Sequence, residues 1–223
     1  MKNSEIRQRA EVVRELGPFP EVPNVGGVTF DGQRAWFAGG NALRAFDPET
    51  GAEVQRLNLA ADAGTAFDGR YLYQVTSDRI HKIDPKTGSI VASIPAPGGG
   101  KDSGLAWAEG TLWVGQYRDR KIHQIDPETG RILSTIESDR FVTGVTFCDG
   151  ELWHGSMDDT GSELRRIDRQ SGEVLEALEM PSGTMVSGLE ARGNDEFLCG
   201  GGTSGKVRVV KKPKRGPAST GRR

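Results

Sequence analysis

Cysteine is scarce in this chain of 223 residues: Cys148 and Cys199 stand alone, with no Cys-x-x-Cys pair and no histidine at zinc-ligand spacing. That argues against a disulfide framework or a structural zinc site, and both residues read as buried thiols. Long apolar runs are missing too, none approaching the 18 or so residues needed to span a bilayer. No apolar N-terminal segment precedes the patterned region, so a soluble, cytoplasmic protein without membrane contact is expected. Charge of one sign is also lacking, since the formal net charge is only −2. Six Lys or Arg fall from Lys211 onward, leaving 23 basic against 31 acidic residues before it, a balance of −8. Such a body offers no basic face to nucleic acid, and the short tail 214–223, basic and without aromatic interleaving, is expected to be disordered and to confer no specific nucleic-acid affinity. Aromatic residues make up only 7%, and no amphipathic helical repeat is evident.

Glycine, by contrast, is plentiful at 31 residues, and it marks a repeat. "LRAFDPETGAEVQRL", "IHKIDPKTGSIVASI", "IHQIDPETGRILSTI" and "LRRIDRQSGEVLEAL" place turn aspartates at Asp47, Asp84, Asp126 and Asp168, separated by 37, 42 and 42 residues. In each, Asp can accept from the backbone two residues on, and Gly can take the left-handed conformation that closes a hairpin. These acids are turn chemistry and poor catalytic candidates. Upstream of each hairpin lies a second element beginning at Gly27, Gly64, Gly104 and Gly144, with a fifth copy at Gly188. A period near 40 with strand alternation predicts an all-β, five-bladed propeller with four antiparallel strands per blade, one domain over 1–213.

The fifth unit runs out after "KVRVV" at 206–210 and lacks an outer strand. "AEVVREL" from Ala10 resembles "AEVQRLNL" from Ala52, the outer strand of the first unit. The N-terminal segment 9–16 is therefore expected to supply the missing strand and close the ring, against the alternative of a helix over 4–16.

Function is sought where the repeats disagree. Two residues after each inner-strand glycine stand Thr29, Ala66, Ala106, Thr146 and, in the fifth copy, Glu190, a carboxylate whose burial costs energy without improving packing. After the aromatic position of the second strand the copies give Phe37, Gln74, Val114, His154 and Cys199, of which only His154 exchanges protons near neutrality. Glu190 and His154 are the candidate catalytic pair, expected to share the central channel. Asp62, Asp102, Ser103, Gln116, Tyr117 and Met157, on the loops entering the inner strands and on the longer second-strand loops, are the candidate ligand contacts. A divalent metal in the channel is the one cofactor considered, and Asp158-Asp159 alone makes a poor site for it. The expected partner is a small molecule or peptide held in the channel of a monomer. A non-catalytic binding propeller or scaffold is the alternative.

The fourth unit, "GVTFCDGELWHGSMDDTGSELRRIDRQSGEVLEAL", resembles a blade of the glutamine cyclotransferases, five-bladed propellers that cyclise N-terminal glutamine, and the repeat pattern, which covers nearly the whole chain, is also similar to streptogramin lyase and gluconolactonase-like propellers. The resemblance implies processing of a small molecule or peptide end by cyclotransfer, elimination or hydrolysis. The family's Leu-Phe-Glu-Ser-Thr-Gly stretch has its counterpart in Leu152-Trp153-His154-Gly155-Ser156, which lacks the glutamate, so that catalytic role has no bearer here.

Overall fold

The four Asp to Gly turns close alike. Asp47 Oδ1 accepts from the amides of Glu49 and Thr50 at 2.8 and 2.9 Å, and Asp84, Asp126 and Asp168 accept from the equivalent pairs at 2.7 to 3.2 Å. Gly51, Gly88, Gly130 and Gly172 follow at φ of 74 to 75°. The fourth turn, which has Arg169 in place of proline, adopts the same geometry, so the Asp and Gly carry it.

The computed structural model describes residues 5–61 and 63–214. Two strands, β1 (Ile6–Arg9) and β2 (Val12–Leu16), precede blade 1, formed by β3 (Val28–Phe30), β4 (Ala35–Ala38), β5 (Leu43–Phe46) and β6 (Glu53–Leu57). Blade 2 is β7 (Thr65–Phe67), β8 (Leu72–Thr76), β9 (Arg79–Ile83) and β10 (Ile90–Pro95). Blade 3 is β11 (Asp102–Ala108), β12 (Thr111–Gln116), β13 (Lys121–Ile125) and β14 (Ile132–Glu137). Blade 4 is β15 (Phe141–Cys148), β16 (Glu151–Asp158), β17 (Gly161–Ile167) and β18 (Val174–Glu179), and blade 5 begins with β19 (Gly188–Arg192), β20 (Glu196–Gly200) and β21 (Val207–Lys211).

Blade 5 takes its outer strand from the N-terminus: β2 pairs antiparallel with β21, from Val12 opposite Val210 to Leu16 opposite Val207. The expected closure is thus borne out, and the helix alternative is not. Residues 6–9 do something the sequence did not announce, adding β1 in parallel to β18 as a fifth strand of blade 4. Its side chains are exposed, and ion pairing rather than apolar burial accompanies the docking: Arg7 contacts Glu163 at 2.9 Å and Gln8 donates to Glu176 at 2.9 Å. Of the tail expected from 214, all but Lys214 lies outside the described residues.

The core is divided among the blade interfaces. Leu16, Val28, Phe37, Phe46 and Leu198 pack blade 5 on blade 1, whereas Trp153, Leu189 and Phe197 pack blade 4 on blade 5. Each fully buried aromatic such as Trp36 or Trp153 contributes about 2–3 kcal/mol of transfer free energy.

At the axis the inner strands meet backbone to backbone through a ring of glycines. A Cβ on Gly27 would lie 2.4 Å from Ala63 O, on Gly64 2.5 Å from Leu105 N, on Gly104 2.6 Å from Val145 N, on Gly144 2.3 Å from Leu189 N and on Gly188 2.6 Å from Gly26 O. Each blade therefore leans on the next, and the fifth leans on the first. Only glycine permits this approach, which is why it heads every repeat.

Blade 5 departs from the others in a compensated way. Cross-strand pairs in blades 1 to 4 set a small residue against a large ring (Thr29–Trp36, Ala66–Tyr73, Ala106–Trp113, Thr146–Trp153), while blade 5 sets Glu190 against Leu198. The next pair reverses likewise: Phe30, Phe67, Trp107 and Phe147 face Ala or Leu, but Ala191 faces Phe197. Phe197 then packs on Trp153 at 5.0 Å between ring centroids. The volume that leaves one strand returns on its neighbour.

Candidate functional site

The residue immediately before each ring glycine lies on the top face, where the inner strands begin. These residues are Gly26, Ala63, Ser103, Thr143 and Ser187, and all five line one cavity of 290 Å³. Asn24, Asp102, Tyr117, Met157, Met185 and Val186 complete its wall, so every blade contributes. Register shifts in β11 between Asp102 and Leu105, and in β15 between Val142 and Val145, re-aim Asp102, Ser103 and Thr143.

Two of the three hydroxyls in this circle tie one blade to the next. Ser103 Oγ donates to Val142 O at 2.8 Å, and Ser187 Oγ donates to Val25 O at 2.5 Å. Thr143, at the equivalent place in blade 4, is buried and its Oγ1 has no partner. That oxygen faces Gly155 of its own blade, where a Cβ would stand 2.5 Å from it, so it meets a ligand in the cavity only when the side chain turns.

Asp102 is the ionisable carboxyl of the cavity. Its Oδ2 accepts from Gly98 N–H at 3.0 Å, and Gln116 Nε2 approaches Oδ1 at only 3.4 Å. A Cβ on Gly98 would meet Asp102 Oδ1 at 2.6 Å and push the carboxyl aside, so glycine there leaves it in place. Burial pushes the Asp102 carboxyl above its ordinary value, the hydrogen bonds from Gly98 and Gln116 opposing only in part.

Of the expected ligand contacts, Asp102, Ser103, Tyr117 and Met157 line this cavity. Gln116 stands behind Asp102 as its buried partner, and Asp62 lies outside the described residues. Tyr117 is held by stacking on Phe141 at 4.8 Å. Thr143, Ser187 and Met185 escaped the sequence reading. For Thr143 and Ser187 the signal was the position before the glycine, where the copies read Gly, Ala, Ser, Thr and Ser; Met185 left none.

The expected catalytic pair is not brought together. Glu190 lies two residues past the ring glycine, on the far side of the ring from the cavity, and its carboxyl is hydrogen-bonded to Thr29 of blade 1. His154 is fully buried on the other side of blade 4, sharing a sheet face with Leu152, which packs on Trp113 and Ile122 of blade 3. Its Nδ1 lies 3.0 Å from Gly155 O, its Nε2 has no partner, and neither residue lines the top cavity. The expectation that both open to one pocket is corrected accordingly: alternation along β16 and β19 turns them toward different blade interfaces. Desolvation dominates both, pushing Glu190 up to about 8 and His154 down to about 4. Glu190 keeps some surface in the narrow channel, yet wetting there is far from bulk solvation, and a Thr29 hydrogen bond and distant Lys212 do not offset the burial.

Among the described residues no group of three or more His, Cys, Asp or Glu could hold a metal ion. Asp158 is engaged by Arg140 and Thr160, which hold its carboxyl far below the usual range. Cys148 and Cys199 are free thiols; burial raises both, Cys199 to about 12, in line with unreactive side chains. No described helix is long and apolar enough to cross a membrane.

Residues 39–102 and 78–216 match the family described as outer membrane protein assembly factor BamB. The crystal structure of Myxococcus xanthus glutaminyl cyclase superposes with a TM-score of 0.76 at 16% identity, covering 93% of this chain and 97% of that one. The WD40 β-propeller domain of Doa1 gives a TM-score of 0.55 at 14% identity, over 84% and 63% of the two chains. At such identities the likeness is one of fold, and it bears out the resemblance to the cyclase propellers. No curated protein is significantly similar in sequence.

Proposed function

The chain belongs to the family described as outer membrane protein assembly factor BamB, and from that premise we propose that it is a binding propeller which takes a small polar molecule or the end of a peptide in its top cavity. The observation that carries this reading is the convergence of all five blades on one 290 Å³ cavity whose wall holds, among the described residues, one carboxyl, Asp102, and an unpartnered hydroxyl, Thr143. Asp102 accepts a hydrogen bond from the ligand, Thr143 completes a second by turning its hydroxyl from Gly155 into the cavity, and Met157, Met185 and Tyr117 supply an adaptable apolar wall. The family description, an assembly factor, supports the binding reading.

Processing of the bound group is the second reading, favoured by the raised Asp102 carboxyl. A single carboxyl whose proton affinity burial raises can, in its ionised form, take a proton from an attacking amine and then return it to the departing ammonia, as cyclisation of a glutaminyl end requires. Titration calorimetry with panels of amino acids, amines and short peptides tests binding, and ammonia release from glutaminyl peptides tests processing. Asp102→Asn and Thr143→Val are expected to weaken any ligand at least tenfold with little change in melting temperature. Ligands that bind both variants as they bind the wild type would place the site elsewhere, and ammonia release undiminished in Asp102→Asn would remove the second reading.

A further inference from the structure

Asp102 stands on the wall of a second cavity as well. Ala63 and Asp102 line both the 290 Å³ top cavity and a neighbouring one of 340 Å³, whose other walls are Val75, Ser77 and Gly100 on the blade 2 side. The carboxyl thus sits at a junction rather than at the end of a pocket. Its Oδ1 retains accepting capacity, because the 3.4 Å contact from Gln116 is long for a hydrogen bond. Gly100, at a φ of 94°, keeps the outer wall low: a Cβ there would stand 3.4 Å from Ser77 O.

Resting on the binding reading above, we propose that the ligand is an extended peptide spanning both cavities, one residue in each, with the amide N–H between them donating to Asp102. Each cavity has room for one amino-acid residue. An amide N–H buried between two side-chain sites needs an acceptor, and Asp102 is the one at the junction. The walls suit a peptide better than a sugar. Sugar sites are built on open aromatic faces with several hydrogen-bonding side chains, whereas one aromatic lines these cavities, Tyr117, and Phe141 already stacks on it. Met157, Met185 and Val186 take one side chain, and Val75 with the Gly100 backbone takes the next.

The test is a length series of peptide amides of one, two and four residues, titrated calorimetrically against the wild-type chain and against Ser77→Trp. Ser77 is an exposed loop residue, so the substitution fills the second cavity without touching the core. Two- and four-residue amides are expected to bind at least tenfold more tightly than single-residue amides, and Ser77→Trp is expected to abolish that gain while leaving single-residue binding unchanged. Affinity independent of length, or a gain that survives Ser77→Trp, overturns the extended ligand and leaves the top cavity standing. Binding of small molecules through Asp102 with no peptide bound also overturns it. If neither peptides nor small molecules bind, the binding reading itself fails.

Discussion

Replacing Glu190 by Gln should change how stability depends on pH, and the change follows from two buried groups shifted in opposite directions. Glu190 keeps its proton up to about 8 in the folded chain, against 4.5 for an ordinary carboxyl. The folded state therefore binds the extra proton between those values, so the Glu190 contribution is fully present below 4.5 and is lost as pH rises to about 8. His154 is the reverse: burial holds it down at about 4 against 6.5, so the unfolded chain takes the extra proton and stability is lost as pH falls through that window. At about 1.4 kcal/mol per pH unit the full Glu190 interval amounts to roughly 5 kcal/mol, which channel water around the half-buried side chain reduces to about 3, and His154 amounts to roughly 3. The slopes oppose each other between pH 4.5 and 6.5, giving a plateau, and the carboxyl alone acts from 6.5 to 8. Urea unfolding at half-unit steps from pH 4 to 8.5 reads this directly. The wild type should lose about 1–2 kcal/mol between pH 6.5 and 8, whereas Glu190→Gln should be flat there and should rise with pH between 4 and 6.5. Taking the difference between the two chains cancels every other titrating group. Equal losses above pH 6.5 in both chains would refute the argument, because they would mean that Glu190 is already ionised in the folded state.

Gly144→Ala should destabilise the protein by about 3 kcal/mol or prevent folding, since its Cβ would stand 2.3 Å from Leu189 N and backbone cannot step aside; thermal melts check this. Deleting residues 1–10, which removes β1 alone, should cost about 1–2 kcal/mol, while deleting 1–16 should abolish cooperative unfolding because it also strips β2 from blade 5. Ala191→Phe alone should cost about 2 kcal/mol by overpacking, and adding Phe197→Leu should recover about half of it, a coupling that a double-mutant cycle in urea measures.

The fold was legible because the repeat states it four or five times over. The Asp and Gly of each hairpin act through local backbone geometry, and the glycine heading each inner strand acts through contact with a copy of itself in the next blade, so one period of sequence carries the instruction for all. The closing strand was legible for the same reason, "AEVVREL" being the outer strand of a blade displaced to the other end of the chain. The strand β1 was not. It docks by Arg7 on Glu163 and Gln8 on Glu176, ion and amide pairs that leave no period in the sequence.

The site was legible only in part, and Glu190 explains why. A repeat that breaks its pattern can do so for a ligand or for its neighbour, and sequence alone weighs each strand singly. Glu190 breaks the small-residue pattern of the inner strand, but Leu198 opposite breaks the aromatic pattern of the second strand at the same level, and Ala191 with Phe197 repeats the exchange one step on. The departure is thus shared between paired strands and fills one volume. Asp102 and Thr143 are different in kind. Asp102 stands two residues before its ring glycine and Thr143 immediately before its own, each at a register shift; Gln116 opposite Asp102 meets one carboxyl oxygen only at 3.4 Å, and nothing opposite Thr143 satisfies its hydroxyl. A deviation that packing repays belongs to the fold, and one left unrepaid on the wall of a cavity belongs to what the cavity binds.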